Sequence, residues 1–306
     1  MLKKILLTTI SLLFILSSLD IYASSILAPP NLQNVMKENE KLVKQNLKKK
    51  KWQTSTWTVT KKPITYTYQT LIAGDAVRIS RYNEVELWVQ EVDLSRGATL
   101  TSMLTQSGYD SSSWEPLFVK KKISEALVGL DTKPFSLINW QFFDPAREYT
   151  PLSFGLKEWT TIRTAWADNR DESKNILIIG STGASLLPYS WENLRDASGS
   201  LALVNLTLDE SHHRTESIGR TYICLQNMNS QNQSSTLLIF TALAMSETDI
   251  EKEFPRWWCS RNAVAKLDAS GSSRLWVDGE YIYGKSHKWD PDYRKIPHYL
   301  AVWDKK

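Results

Sequence analysis

Val85-Glu86-Leu87-Trp88-Val89-Gln90-Glu91-Val92 alternates apolar and polar residues. A period of two places successive side chains on opposite faces of a strand, so the octet predicts a strand with one buried face. Similar β-branched and aromatic runs recur at 58–60, 64–68, 135–138, 176–179, 201–204, 222–225 and 237–240. Arg274-Leu275-Trp276-Val277, then Asp278-Gly279, then Glu280-Tyr281-Ile282-Tyr283 reads as a tight hairpin, because Asp-Gly suits a two-residue turn. Helical signals are fewer. Ser246-Glu247-Thr248-Asp249 has an N-cap and early acids, and predicts a helix to about Phe254, stopped by Pro255. A second short helix is expected over 191–196. Many strands, few helices and no regular alternation predict an α+β fold, one large domain with a mixed, curved sheet.

The composition narrows the function classes. With 306 residues, 42% apolar and 23% charged, the chain is neither disordered nor collagen-like, and it is long enough for a sizeable core. A net charge of +4 is too small to argue for a nucleic-acid partner. Two cysteines are too few for a disulfide scaffold or a Cys-rich zinc module, and no metal or cofactor is expected. The outlier is tryptophan, at 13 residues. Many belong in a core, and others suit sugar stacking, since the indole offers a rigid apolar face and a polar N–H.

The first 23 residues read as a signal peptide: Lys3 and Lys4, an apolar run over 5–19, then Ala23, Ser24 and Ser25. The run is shorter than the ~20 residues that span a bilayer, which argues for cleavage near Ala23 over a retained anchor. The expected location is therefore outside the cytoplasm, periplasmic or secreted, with no membrane span after cleavage. Export would carry Cys224 and Cys259 into an oxidising compartment, where they either bridge or pack as two buried thiols. A polar linker follows over 24–56. Its apolar residues recur loosely at helical spacing, and the run from Lys48 to Lys51 is either a solvated helix end or a patch for anionic surfaces. The main domain is expected over 57–306.

Several chemistries are absent. There is no G-x-S-x-G elbow, P-loop or G-x-G-x-x-G. Ser181-Thr182-Gly183-Ala184-Ser185 lacks the lysine of a phosphate loop and reads as a turn. His212 and His213 are adjacent in a polar stretch and make a poor chelating pair, and His287 looks solvated.

Four segments remain. Phe135-Ser136-Leu137-Ile138-Asn139-Trp140-Gln141-Phe142-Phe143-Asp144 is a buried strand ending in asparagine, followed by aromatics and an acid. Gly219-Arg220-Thr221 leads into the strand at 222–225. Ala263-Val264-Ala265-Lys266-Leu267-Asp268-Ala269-Ser270-Gly271-Ser272-Ser273 runs into the hairpin, and Arg294-Lys295-Ile296-Pro297-His298 lies near the C-terminus. In this order they resemble the phosphodiester glycosidase domain, whose pattern is N-G-G-F-F, R-T, L-D-G-G-G-S-S and R-x-V-P-N. The resemblance covers roughly 75–303. Trp140 and Gln141 stand where the family has two glycines, Ala269 and Ser270 replace two more, and His298 replaces the final asparagine. Glycine in such loops commonly permits close approach of backbone to ligand, so these side chains are expected to narrow the family's pocket.

The resemblance implies an exported hydrolase acting on a sugar-1-phosphodiester, with a carbohydrate or sugar phosphate as partner. Asp268, Arg220 and Asn139 would be catalytic, and Ser272, Ser273, Thr221 and Arg294 would bind substrate. The chemistry is compatible. Phosphate is already a good leaving group, so the reaction needs a cation for the phosphate and a carboxylate for the sugar or water. Arg220 suits the first need by its fork of donors, and Asp268 the second. Two alternatives stay open: Arg220 and Asp268 as a buried ion pair with serines capping a turn, and a glycine-depleted relative that binds glycan or a protein partner without catalysis. The strands ending at Asn139 and Leu267 are expected side by side, bringing Asn139 and Asp268 to one sheet edge.

Overall fold

The computed structural model describes residues 53–61, 64–72, 76–82, 87–163, 173–210, 214–269, 272–277, 280–282 and 294–304. The expected signal peptide, the lysine run, His212, His213, Ser270, Gly271, the Asp278-Gly279 turn and His287 lie outside them.

In chain order the strands are β1 (Gln53–Lys61), β2 (Ile64–Ile72), β3 (Val77–Tyr82), β4 (Leu87–Asp93), β5 (Thr99–Met103), β6 (Gln106–Tyr109), β7 (Pro116–Val119), β8 (Ser136–Asn139), β9 (Tyr149–Thr150), β10 (Leu156–Glu158) and β11 (Thr161–Arg163). They continue as β12 (Lys174–Ile179), β13 (Ala184–Pro188), β14 (Leu201–Leu206), β15 (Ile218–Leu225), β16 (Gln233–Ser234), β17 (Thr236–Met245), β18 (Val264–Lys266), β19 (Leu275–Val277), β20 (Glu280–Ile282) and β21 (Tyr299–Trp303). A 13-stranded sheet runs β1-β2-β3-β4-β17-β15-β18-β14-β12-β13-β16, with β10 and β11 attached at β14. A five-stranded sheet runs β20-β19-β8-β21-β5, and β6, β7 and β9 form a small third sheet. β1 begins a few residues inside the stretch expected as linker.

The chain is a sheet-rich single domain with few, short helices. Its registered strand pairs are antiparallel, so the expected mixed sheet is corrected to an antiparallel one and the fold holds more β than α+β implies. The octet at 85–92 supplies β4, whose partner on one side is β17. Alternation then decides the packing. Ile138, Leu275, Val277, Leu300 and Val302 of the small sheet join one core with Val92, Ile223, Leu225, Leu237 and Ile239 of the large sheet. Their strand neighbours Leu137, Trp276, Tyr299 and Ala301 form a second cluster on the outer face, with Ile123 and Ile296. β14 is buried on both faces: Leu201 and Leu203 join the main core, and Ala202, Val204 and Leu206 pack with Phe154 and Leu194. This explains its continuous apolar run.

Both expected helices are present and short. Ser246 caps Glu247–Glu251 by accepting from the Asp249 N–H, and Ser190 caps Trp191–Arg195 by accepting from Asn193. Cys224 and Cys259 are disulfide-bonded, with Cα atoms 6.0 Å apart. Among the described residues no helix is long and apolar enough to cross a membrane.

Candidate functional site

Three of the four motif segments meet where β8 ends, and Asn139 is the junction. Its Nδ2 donates to the Asp268 carbonyl at 2.8 Å. Its Oδ1 accepts from Thr221 Oγ1 at 2.9 Å and from the Arg274 N–H at 3.1 Å. The Asp268 N–H donates to the Trp140 carbonyl at 3.0 Å, and the Trp140 N–H to the His298 carbonyl at 3.2 Å, which brings in the fourth segment. Asn139 and Asp268 therefore converge as expected, but their strands do not pair: β8 belongs to the five-stranded sheet and β18 to the large one. The backbone bond beyond the two strand ends, not a shared ladder, joins them.

Arg220 is not part of this junction. Neighbouring residues on a strand face opposite ways, and Thr221 faces Asn139. Arg220 thus points to the other side of β15, with Tyr222 and with Lys266, the register partner of Tyr222. There Nε donates to the Met245 carbonyl at 2.9 Å and Nη2 to the Glu216 carbonyl at 3.1 Å. Glu247 is its carboxylate, with Nη1 and Oε2 3.8 Å apart, and Glu247 also receives Lys266 Nζ at 2.8 Å. Burial drives the Lys266 amine below its ordinary range and the Tyr222 phenol well above its own. The expected alternative of an Arg220–Asp268 ion pair is corrected: Glu247 takes that place.

Asp268 is the candidate with titrating chemistry. Desolvation lifts its carboxyl from 3.8 to about 7, opposed by hydrogen bonds from Ser272 and the Ala269 N–H and by the charge of Arg294. Part of the residue nevertheless meets solvent. Asn139 and Arg220 are each only 1% exposed. Ser272, Ser273 and Thr221 are likewise buried, and the Ser273 hydroxyl has no hydrogen-bond partner among the described residues.

The side chains that replace glycine fill the interior. Trp140, 1% exposed, sits in the main core 6.5 Å from the His298 ring, and Gln141 is buried beside it. His298 Nε2 lies 2.7 Å from Ser102 Oγ. Burial lowers its pKa from 6.5 to about 3, so the ring stays neutral.

Arg294 lies outside the junction in a recess of about 550 Å³ with Lys120, Phe143, Glu148 and Tyr149. Its guanidinium stands 5.8 Å from the Phe143 ring centre, and Lys120 Nζ 5.9 Å from the same ring. Burial and the charge of Arg294 lower the Lys120 pKa, against the pull of Asp144 and Glu148. Sequence reading found Phe143 and Arg294 through their motifs. It missed Lys120, whose part depends on folding alone. Among the described residues no group of three or more His, Cys, Asp or Glu side chains gathers to hold a metal ion.

The chain matches no family model and no curated protein. Among solved structures it is similar to a hypothetical protein from Synechocystis, at TM-score 0.43 and 8% identity over 82% of this chain and 68% of that one. It is also similar to a protein described as exported, from Burkholderia pseudomallei, at TM-score 0.41 and 10% identity over 76% of this chain and 75% of that one.

Proposed function

We propose that this is an exported protein that recognises glycan without hydrolysing it, a glycine-depleted relative of the phosphodiester glycosidase domain. The burial of the motif residues carries the reading. At 1% exposure, Asn139 and Arg220 cannot touch a substrate, and Arg220 is bound to Glu247 and two carbonyls on the far side of β15. Trp140 occupies interior space where the family pattern has glycine. Export is supported by the basic and apolar N-terminus and by the Cys224–Cys259 bond, since disulfides persist in oxidising compartments.

One observation favours a second reading. A carboxyl near pH 7 that also feels the charge of an arginine is the kind of group that serves as acid or base, so Asp268 with Arg294 could work as a reduced hydrolytic pair. Incubation with the methyl diester of N-acetylglucosamine 1-phosphate decides between them. The expected result is no turnover above the uncatalysed rate, in the parent protein and in Asp268→Asn alike. Turnover that Asp268→Asn abolishes overturns the first reading and establishes the second.

A further inference from the structure

A cleft lies away from the motif junction, between the edges of the two main sheets. It has a volume of about 1130 Å³. One wall is β5, the last strand of the five-stranded sheet. The other is formed by the β12–β13 turn, residues 198–201 and the β15–β16 connection. We propose that this cleft binds a neutral oligosaccharide segment, with Trp159 as its stacking platform. The proposal rests on the glycan-binding reading above and gives it a place and a ligand class.

The lining selects the class. It consists largely of serine, threonine, asparagine, glutamine and glycine, and among the described residues it contains no lysine, arginine or histidine. Its one ionisable side chain, Glu158, is engaged by Arg163 at 3.3 Å. A phosphate, nucleic acid or uronate would find no counter-charge here. Sugar hydroxyls both donate and accept, and so do hydroxyl and amide side chains. The volume exceeds the roughly 300–1,000 Å³ of ordinary small-molecule pockets, which suits a chain of several sugar rings.

Trp159 is the second observation. It is 74% exposed at the cleft rim, in the turn between β10 and β11. Its φ of 53° lies in the left-handed region, where glycine or asparagine is cheaper. Neither burial nor backbone preference accounts for an indole at this position. A pyranose ring face does, because an aromatic plane covers its C–H groups. The backbone N–H of Trp159 donates to the Ser200 carbonyl at 3.0 Å, which ties the turn to the cleft wall.

The cleft is also preformed. A Cβ on Gly199 would stand 2.5 Å from the Ile179 carbonyl oxygen, and one on Gly183 3.2 Å from that of Ser234. The β12–β13 turn closes with Gly180 N–H donating to the Gly183 carbonyl at 2.8 Å. Such close packing leaves little ordering cost for a ligand to meet. β5 also offers one backbone edge without a strand partner among the described residues, which could pair with an extended peptide. The lining of small polar side chains favours the saccharide.

Calorimetric titration of the exported protein with cellohexaose and chitohexaose tests the proposal, with hexagalacturonate as the charged comparison. Binding of at least one neutral hexasaccharide is expected, with the charged one at least tenfold weaker. Trp159→Ala should weaken the neutral ligand at least tenfold, and Trp159→Asn, which suits the turn, should weaken it equally while the thermal unfolding temperature holds. Lys120→Ala should leave the affinity unchanged. Neutral binding that survives both Trp159 variants, or that is lost in Lys120→Ala, overturns the cleft assignment while glycan recognition stands. Failure of both neutral hexasaccharides, or capture of a displayed random heptapeptide library at the cleft in their place, overturns the proposal. Hydrolysis of the phosphodiester is a separate result and bears on the earlier reading alone.

Discussion

The junction around Asn139 and the cleft beside Trp159 use similar polar side chains to opposite ends. They are linked directly, because Ser102 lines the cleft and bonds His298, whose carbonyl accepts from Trp140. At the junction the amide and hydroxyl groups are turned on one another, and Asn139 alone takes three hydrogen bonds from or to three chain segments. In the cleft such groups line open space. Polar residues deep in a protein must find partners or lose about 1–3 kcal/mol each, so a buried polar cluster is first a structural device. An accessible and uncharged one has no such compulsion and is free to meet a ligand.

The comparison breaks most visibly at Glu247. If the cluster on the far side of β15 is structural, Glu247→Ala leaves Arg220 and Lys266 buried without their carboxylate. A loss of about 3–5 kcal/mol is expected in urea unfolding, with saccharide binding intact in the protein that remains folded. Were Arg220 instead part of a working site, its removal would suppress turnover and leave stability untouched. Next in size is the Cys224–Cys259 bond, whose partners are 35 residues apart. Reduction, or Cys224→Ser with Cys259→Ser, should cost about 4 kcal/mol through the freed unfolded chain.

The junction also carries two opposed pH dependences. Asp268 holds its proton more tightly folded than unfolded, since its pKa rises from 3.8 to about 7. Its stabilisation is complete in acid and is lost as pH climbs through 7. His298 does the reverse. With its pKa lowered from 6.5 to about 3, its contribution is complete above 6.5 and is lost as pH falls through 3. Between pH 4 and 6.5 the slopes oppose each other. Asp268→Asn should raise stability at pH 8 by about 2 kcal/mol, the full shift being reduced by the side chain's contact with solvent. Stability curves of Asp268→Asn and His298→Gln against pH should tilt in opposite directions. Equal slopes in both variants would remove the junction as their source. The smallest effect belongs to the cleft: Trp159→Gly should stabilise the protein by about 1 kcal/mol through relief of the left-handed φ, at the expense of saccharide affinity.

Much of the architecture was legible in the sequence where a strand is long and alternates, as at β4, or is continuously apolar, as at β14. Short strands escaped. β18 has three residues and sits inside a segment read for its acid and glycines, and β21 follows the Arg294 motif without a turn signal. The convergence of Asn139 and Asp268 was legible because both close an apolar run. The separation of Arg220 from Thr221 was missed although strand periodicity contains it: two adjacent residues of β15 cannot both face one site. The cleft left only a composition signal, the tryptophan excess, since its walls come from separate segments spread between residues 99 and 236 of the chain.

The place of β21 has a consequence for the order in which the molecule assembles. This strand, residues 299–303, lies between β8 and β5 and pairs with both. Until it arrives, those two strands have no common partner, and each offers an open edge to other chains. Asp304, just past it, accepts the Ala76 N–H at 3.1 Å and ties the end of the small sheet to the start of β3. Synthesis from the N-terminus therefore delivers the closing strand long after the two strands it joins. The small sheet, and with it one wall of the cleft, stays unfinished until residues 299–303 have been made, so its native pairing waits on a contact distant in sequence.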